Sequence, residues 1–409
     1  MLNLSHQCLL FLVCISGIFA ECKWNTLKGN PTKLIGSGGD KAYMPSNSLG
    51  GFHFAAMSAS DYIEAGVCLS KDGILVVHEN EWLSETTNVE ELEEFSDRKR
   101  RYEFEGKSTK FNKTDWWVFD FTAEELKTLT LKQNTSSPHV PQYFNKDFNV
   151  ITFEEYLDKV EGLCQDFDRE FGILPELKSP EMFNAFLSNA NGTEFEDKFL
   201  EVLKQRGYTE HQPPSERSRM NTGDLINHVM NIKPAGYKKP KYKLAAIQSL
   251  DQHTCKYLAK KTKIPIISLD KQTPSMYTPK GLDKIASYAK IFRPWKDIFF
   301  AGPKAYFDLN RIPYDQEEID SMGGFLGPVN FVREAHKRGI ELSGYPFRDS
   351  SEDNKLLCTR FRNANLGYCP KNQKDELFYI FTIGIDHACV ENLFEAQMLR
   401  LSYHYAGSS

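Results

Sequence analysis

The feature that most constrains this chain is an alternation: short β-type runs separated by helical patterns recur from Lys33 almost to the C-terminus. The β-type runs are Lys33 to Gly36, Tyr62 to Leu69, Ile74 to His78, Gly172 to Leu177, Leu244 to Gln248, Ile264 to Leu269, Asp297 to Ala301, Ile340 to Phe347 and Leu377 to Ile385. Helical spacing falls between many of them, at Ala123 to Leu129, Phe153 to Leu163, Glu194 to Gln205, Thr254 to Lys260, Pro279 to Ile291 and Pro328 to Arg338. Strands alternating with helices predict a parallel sheet. The expected fold is α/β, a (β/α)8 TIM-type barrel with surface insertions, one β-run being a hairpin strand rather than a stave. A doubly wound open sheet is the alternative.

Within 409 residues, 41% of them apolar, a single large domain is expected over 21–409. Two stretches read as solvated surface insertions. Residues 86–116 mix acidic runs with the basic run Arg98 to Arg101, and 206–243 is rich in Pro, Ser, Asn and Lys. The net charge of -5 argues against a nucleic-acid partner.

The N-terminus carries a short apolar run, Leu9 to Phe19, ending in Ile18-Phe19-Ala20 before Glu21. Residues 1–20 are therefore expected to be a cleaved signal peptide, with no membrane anchor and a secreted, extracellular product. Sequons at Asn112, Asn134 and Asn191 fit that route as glycosylation sites. Seven cysteines would remain after cleavage, Cys22, Cys68, Cys164, Cys255, Cys358, Cys369 and Cys389, so at least one lacks a partner within the chain. Their spacing suits disulfides better than zinc, with Cys358 and Cys369 a plausible staple.

Chemistry-bearing residues stand at the ends of early β-runs: Glu64 in Tyr62-Ile-Glu64-Ala-Gly66, His78 in Val76-Val-His78-Glu79, and Glu176 in Leu174-Pro-Glu176-Leu-Lys178. In a parallel barrel such ends converge on one face. Two carboxylates could there hold a hard divalent cation, and a histidine could move a proton.

Taken in order, these segments resemble the glycerophosphodiester phosphodiesterase family, in its secreted or periplasmic-type branch. Its opening motif, a strand followed by His-Arg-Gly and then Gly-Tyr-x-Pro-Glu-Asn/His-Thr, is matched by Leu34-Ile-Gly-Ser37-Gly38-Gly39 through Tyr43-Met-Pro45-Ser46-Asn47-Ser48. Its next motif, Ala-Asp-Tyr-x-Glu-x-Asp-Val through Asp-Gly-x-Leu-Val-Val-x-His-Asp, is matched by Ser60-Asp61-Tyr62-Ile-Glu64-Ala-Gly66-Val67 through Asp72-Gly73-Ile-Leu-Val-Val-His78-Glu79, with one residue fewer before His78. Asp120 to Lys127, Ile151 to Tyr156, Pro175 to Lys178, Ala246 to Asp251 and Ser343 to Arg348 extend the likeness over most of the chain.

The resemblance implies a barrel hydrolysing glycerophosphodiesters with two histidines, a phosphate-binding arginine and a calcium or magnesium ion. Carried over residue by residue, it places His78 as a retained catalytic histidine, Glu64 and Glu176 on the metal, and Lys178 and Arg348 on the substrate. Ser37 replaces the first histidine, Gly38 the arginine, Ser46 a glutamate and Gly66 the metal-binding aspartate. A hydroxyl cannot take the place of imidazole in proton transfer, and Gly66 offers no oxygen to a cation that wants six or more. The expected product is a secreted pseudoenzyme binding calcium or magnesium weakly if at all. Its partner would be a small phosphodiester or another extracellular ligand. An active metal-dependent diesterase is the alternative. Asp40, Glu79 and His53, which could in principle compensate, are expected to face solvent.

Overall fold

The computed structural model describes residues 24–134, 140–187, 192–208, 243–270, 272–348 and 370–406. The expected signal peptide, the Asn191 sequon, the Cys358–Cys369 staple and nearly all of the 206–243 insertion lie outside these residues.

Among the described residues the strands are β1 (Lys33–Gly36), β2 (Tyr62–Leu69), β3 (Leu75–Val77), β4 (Arg100–Glu105), β5 (Lys110–Asp115), β6 (Ile151–Thr152), β7 (Gly172–Leu177), β8 (Ile247–Ser249), β9 (Ile266–Asp270), β10 (Ile291–Pro294), β11 (Glu341–Phe347) and β12 (His387–Val390). Parallel pairing runs β1-β12-β11-β10-β9-β8-β7-β2, and β1 also pairs with β2, so eight strands close into a barrel with helices between them. The expected (β/α)8 barrel is therefore the fold. The run near Ile74 is the hairpin strand: β3 turns back antiparallel on β2.

Alternation along β2 shows why this sequence makes a stave. Ile63, Ala65, Val67 and Leu69 belong to the large core under the helices, whereas Tyr62 belongs to a smaller interior cluster with Ile35, Leu174, Ala246, Ile267, Leu269, Ile291 and Cys389. Several helices start where the sequence provides caps. Thr122 with Glu125 and Thr152 with Glu155 form capping boxes for Ala123–Thr128 and Phe153–Asp166.

Three expectations fail here. Asp297–Ala301 and most of Leu377–Ile385 are helical, the latter inside Gln373–Ile383; the staves in those regions are β10 and β12. The helix expected to run to Ile291 ends at Ala286, because Ile291 opens β10. The 86–116 stretch is exposed over much of its length, as a surface insertion should be, but it is anchored to the core. Val89, Phe95 and Trp116 are buried, and its β4–β5 hairpin packs Tyr102 and Phe111 against the fully buried Trp117.

Candidate functional site

The C-terminal ends of the staves converge on a cleft whose floor is polar. Adjacent β2 and β7 pair Glu64 with Leu174 and Gly66 with Glu176, so both glutamates come from neighbouring strands. Glu64 Oε1 accepts from Gln248 Nε2 and, at 2.8 Å, from Arg293 Nη1; its Oε2 accepts from the Cys389 thiol at 3.5 Å. Glu176 Oε1 accepts from Lys178 Nζ at 2.9 Å and Oε2 from Gln248 Nε2 at 3.2 Å. Arg293 also donates from Nε to Ser343 Oγ at 2.9 Å and from Nη1 to Gln248 Oε1 at 2.5 Å.

Burial pushes the Glu64 carboxyl up, but Arg293, Lys41 and the Gln248 amide more than offset it and hold the group below its ordinary range. Lys178 is likewise held charged against burial by Glu176, Glu79 and Glu81. Burial and the Glu64 charge push the Cys389 thiol far up, so it stands as a neutral thiol.

A second cluster sits beside the first, on the loop after β1. Lys41 Nζ pairs with Glu79 Oε1 at 2.6 Å, while Glu79 Oε2 accepts from Ser46 Oγ at 2.5 Å and Asn47 Nδ2 at 2.8 Å. Asn47 Oδ1 in turn accepts from the Gly66 amide at 2.9 Å, tying this loop to β2. Burial would raise the Glu79 carboxyl, yet Lys41 and Lys178 bring it down to about 2. Glu79 is thus a fixed anion in the cleft rather than a solvent-facing side chain.

Of the residues singled out in the sequence, Glu64, Glu176 and Lys178 come together. Ser37 follows β1 and is buried, its amide donating to Val390 O at 3.1 Å. Arg348 lies just beyond β11, where its charge acts on Glu391.

His78 is not in the cluster. It is fully buried, with Nδ1 on Asn80 O at 2.7 Å and Nε2 on Thr86 Oγ1 at 3.0 Å, and burial lowers its pKa, leaving it neutral. Chain neighbours leaving a strand face opposite ways, and here Glu79 faces the cleft. The missing residue before His78 is the clue the sequence offers: counted without a gap, the histidine position of the motif is Glu79.

Gly38 and Gly66 are closely enclosed. A Cβ on Gly38, whose φ is +56°, would stand 2.2 Å from Ser46 Oγ, and one on Gly66 would stand 2.2 Å from His78 O. Asp40, expected at the surface, is wholly buried, and His53 is half-buried against Phe167. Sequence reasoning missed Lys41, Asn47 and Arg293 as parts of the site. Arg293 falls in none of the expected strands, although Ile291-Phe292-Arg293-Pro294 has the apolar lead-in of a stave.

The sequence model of the glycerophosphoryl diester phosphodiesterase family matches residues 39–360. The chain belongs to this family. A glycerophosphodiester phosphodiesterase of Arabidopsis thaliana is 29% identical over 314 residues, covering 77% of this chain and 74% of the relative. One from Treponema pallidum is 27% identical over 276 residues, covering 64% and 70%. A solved structure of a candidate glycerophosphoryl diester phosphodiesterase from Silicibacter pomeroyi superposes with a TM-score of 0.51 at 15% identity, covering 92% of this chain and 96% of that one, a likeness of fold.

Family membership raises the question of a divalent metal, and the residues present do not fit one. Glu64 and Glu176 are engaged by Arg293, Gln248, Lys178 and Cys389, and the third carboxylate position is Gly66, closed off by His78 O. Among the described residues no three His, Cys, Asp or Glu side chains gather as metal ligands.

Proposed function

We propose that this chain is a secreted member of the glycerophosphodiester phosphodiesterase family whose cleft binds a small phosphodiester, or another extracellular ligand, without hydrolysing it. The observation that carries this reading is the state of the two proton-transfer positions. Ser37 supplies a hydroxyl, Glu79 is a carboxylate with its pKa brought down to about 2 beside Lys41, and the His78 ring is turned away to Asn80 and Thr86. A general acid or base works best with a pKa near the operating pH, and its loss typically costs about 10²- to 10⁴-fold in rate. Neither group meets that requirement. Lys41, Lys178 and Lys296, each partly exposed and paired with Glu79, Glu176 and Glu376, are the cations an anionic headgroup would draw from those carboxylates.

Secretion is supported by the Leu9 to Phe19 run, and glycosylation by Asn112, exposed on β5 within its sequon. The deciding assay measures glycerol 3-phosphate released from glycerophosphocholine with calcium and with magnesium. No release above background is expected, together with protein in the medium that shifts on glycosidase treatment. Robust metal-dependent turnover abolished by Glu64→Gln would establish an active diesterase instead, and retention in cell membranes would remove the secreted part.

A further inference from the structure

We infer that Arg293 is a built-in counter-ion standing where a divalent cation would otherwise balance Glu64 and Glu176, so that the barrel is closed to calcium and magnesium by its own guanidinium. This deepens the reading above and rests on it in one respect: the cleft is taken to work without a metal.

Two buried carboxylates on neighbouring strands need compensation, because an uncompensated charge in such a place is strongly unfavourable. A hard cation would provide it through six or more oxygens. The chain offers a different solution. Arg293, from β10, is fully buried and crosses the barrel interior to Glu64 on β2. Its Nη1 lies 2.8 Å from Glu64 Oε1 and 2.5 Å from Gln248 Oε1, and Ser343 Oγ fixes its Nε at 2.9 Å.

The contact with Gln248 has a consequence for the second carboxylate. Because the amide oxygen faces the guanidinium, the amide Nε2 faces the glutamates and donates to both. Arg293 therefore reaches Glu64 directly and Glu176 through one amide. Lys178 completes the balance at 2.9 Å from Glu176. Two carboxylates then stand against two cations, and a dication entering among them would leave two positive charges in excess in a poorly solvated place.

Geometry points the same way as charge. Both Glu64 oxygens and both Glu176 oxygens already accept hydrogen bonds, and Gly66 adds no oxygen. A planar guanidinium with several fixed donors fits carboxylate and amide oxygens at once, which an ammonium does not.

The test is calcium titration of the full chain by calorimetry, with melting temperatures taken in millimolar calcium and in chelator. Wild type should bind no calcium in the micromolar range and melt at the same temperature in both. Arg293→Gln, which leaves Glu64 without its cation, should gain a calcium site at least tenfold tighter than wild type and melt higher with calcium. The double variant Arg293→Gln/Glu64→Gln should lose it, and Arg293→Lys should remain silent. A micromolar site in wild type that weakens tenfold or more in Glu64→Gln overturns the inference, as does a folded Arg293→Gln that binds calcium no better than wild type. Should Arg293→Gln not fold in chelator, recovery of folded protein in calcium supports the inference, and misfolding in both media with calcium binding in wild type refutes it. Wild-type calcium binding without turnover would remove the counter-ion and leave the non-hydrolytic reading standing; metal-independent turnover would do the reverse.

Discussion

The carbonyl oxygen of His78 stands 2.2 Å from where a β-carbon on Gly66 would be, closer than real β-carbons come to backbone oxygen. The two residues are partners across the β2–β3 turn-back, with the His78 amide donating to Gly66 O at 3.0 Å, so neither backbone can retreat without breaking the ladder. Restoring the family's aspartate by Gly66→Asp is therefore expected to destabilise by roughly 1–3 kcal/mol, as overpacking does. Gly38→Arg meets Ser46 Oγ at the same 2.2 Å and a left-handed φ of +56°. The combined Ser37→His/Gly38→Arg/Gly66→Asp chain should melt lower than wild type and gain no diesterase activity. A triple variant as stable as wild type with metal-dependent turnover would show that the cleft re-forms.

His78 and Glu79, adjacent in sequence, should separate cleanly by mutation. His78→Ala removes a buried ring and strands Asn80 O and Thr86 Oγ1, at a cost on the order of 2–4 kcal/mol. It should leave affinity for glycerol 3-phosphate unchanged in the folded protein. Glu79→Gln differs in its effect on binding: it also costs stability at neutral pH, because the carboxylate pairs with Lys41 and accepts from Ser46 and Asn47, but it should bind that dianion several-fold tighter as Lys41 is released. Thermal melts and calorimetric titration of both variants give the comparison. Loss of binding in His78→Ala with no stability change would return His78 to the site.

Trp117 tests whether the 86–116 insertion is integral. It has no exposed surface, donates from Nε1 to Arg100 O at 3.2 Å, and is surrounded by Trp82, Tyr102, Phe111 and Phe119 at centroid distances from 5.2 to 6.3 Å. The hairpin turn is held from below by Glu181, which accepts from the Lys107 and Ser108 amides at 2.9 and 3.1 Å. Trp117→Ala should cost about 3–5 kcal/mol and open residues 100–115 to protease in otherwise native protein. An unchanged melt would mean the hairpin rests on the barrel without supporting it.

What can be read from the sequence follows from how local each feature is. β1, β2 and β7 are apolar runs bounded by turns, and capping boxes announce two helices, so these are legible. Asp297-Ile-Phe-Phe-Ala301 reads as a strand because periodicity cannot distinguish a short apolar helix from one. The helix Gln373–Ile383 carries cap information that outweighs its apolar run: Asn372 accepts from the Asp375 amide, and Gly384 at φ +90° ends it. β12 is hidden because its inward residues are His387 and Cys389, which do not look like core. Within the site, Glu64, Glu176 and Lys178 are visible through motif spacing. Arg293 is not, since it meets Glu64 across 229 residues and only barrel closure brings them together.

Asp40 gives a pH prediction whose sign is set by burial. Its side chain has no exposed surface, and burial pushes the carboxyl up to about 7 against the lowering influence of the Ala42 and Leu393 amides and the Ser58 hydroxyl. In the unfolded chain an aspartate titrates near 4, so between roughly pH 4 and pH 7 folding takes up a proton at this residue. Its contribution is fully present below pH 4 and is lost as pH rises to 7, by about 1.4 kcal/mol per pH unit across that window. Glu79 works in the opposite sense and in another window: with its pKa about 2, the stability from its pairing is present above pH 4.5 and lost below it. Asp40→Asn removes the first dependence and leaves the second. Melting curves of wild type and this variant from pH 4 to pH 8 should diverge in favour of the variant up to about pH 7 and then run parallel. Curves parallel throughout would show that Asp40 is ionised in the folded protein at low pH and that its loop admits water.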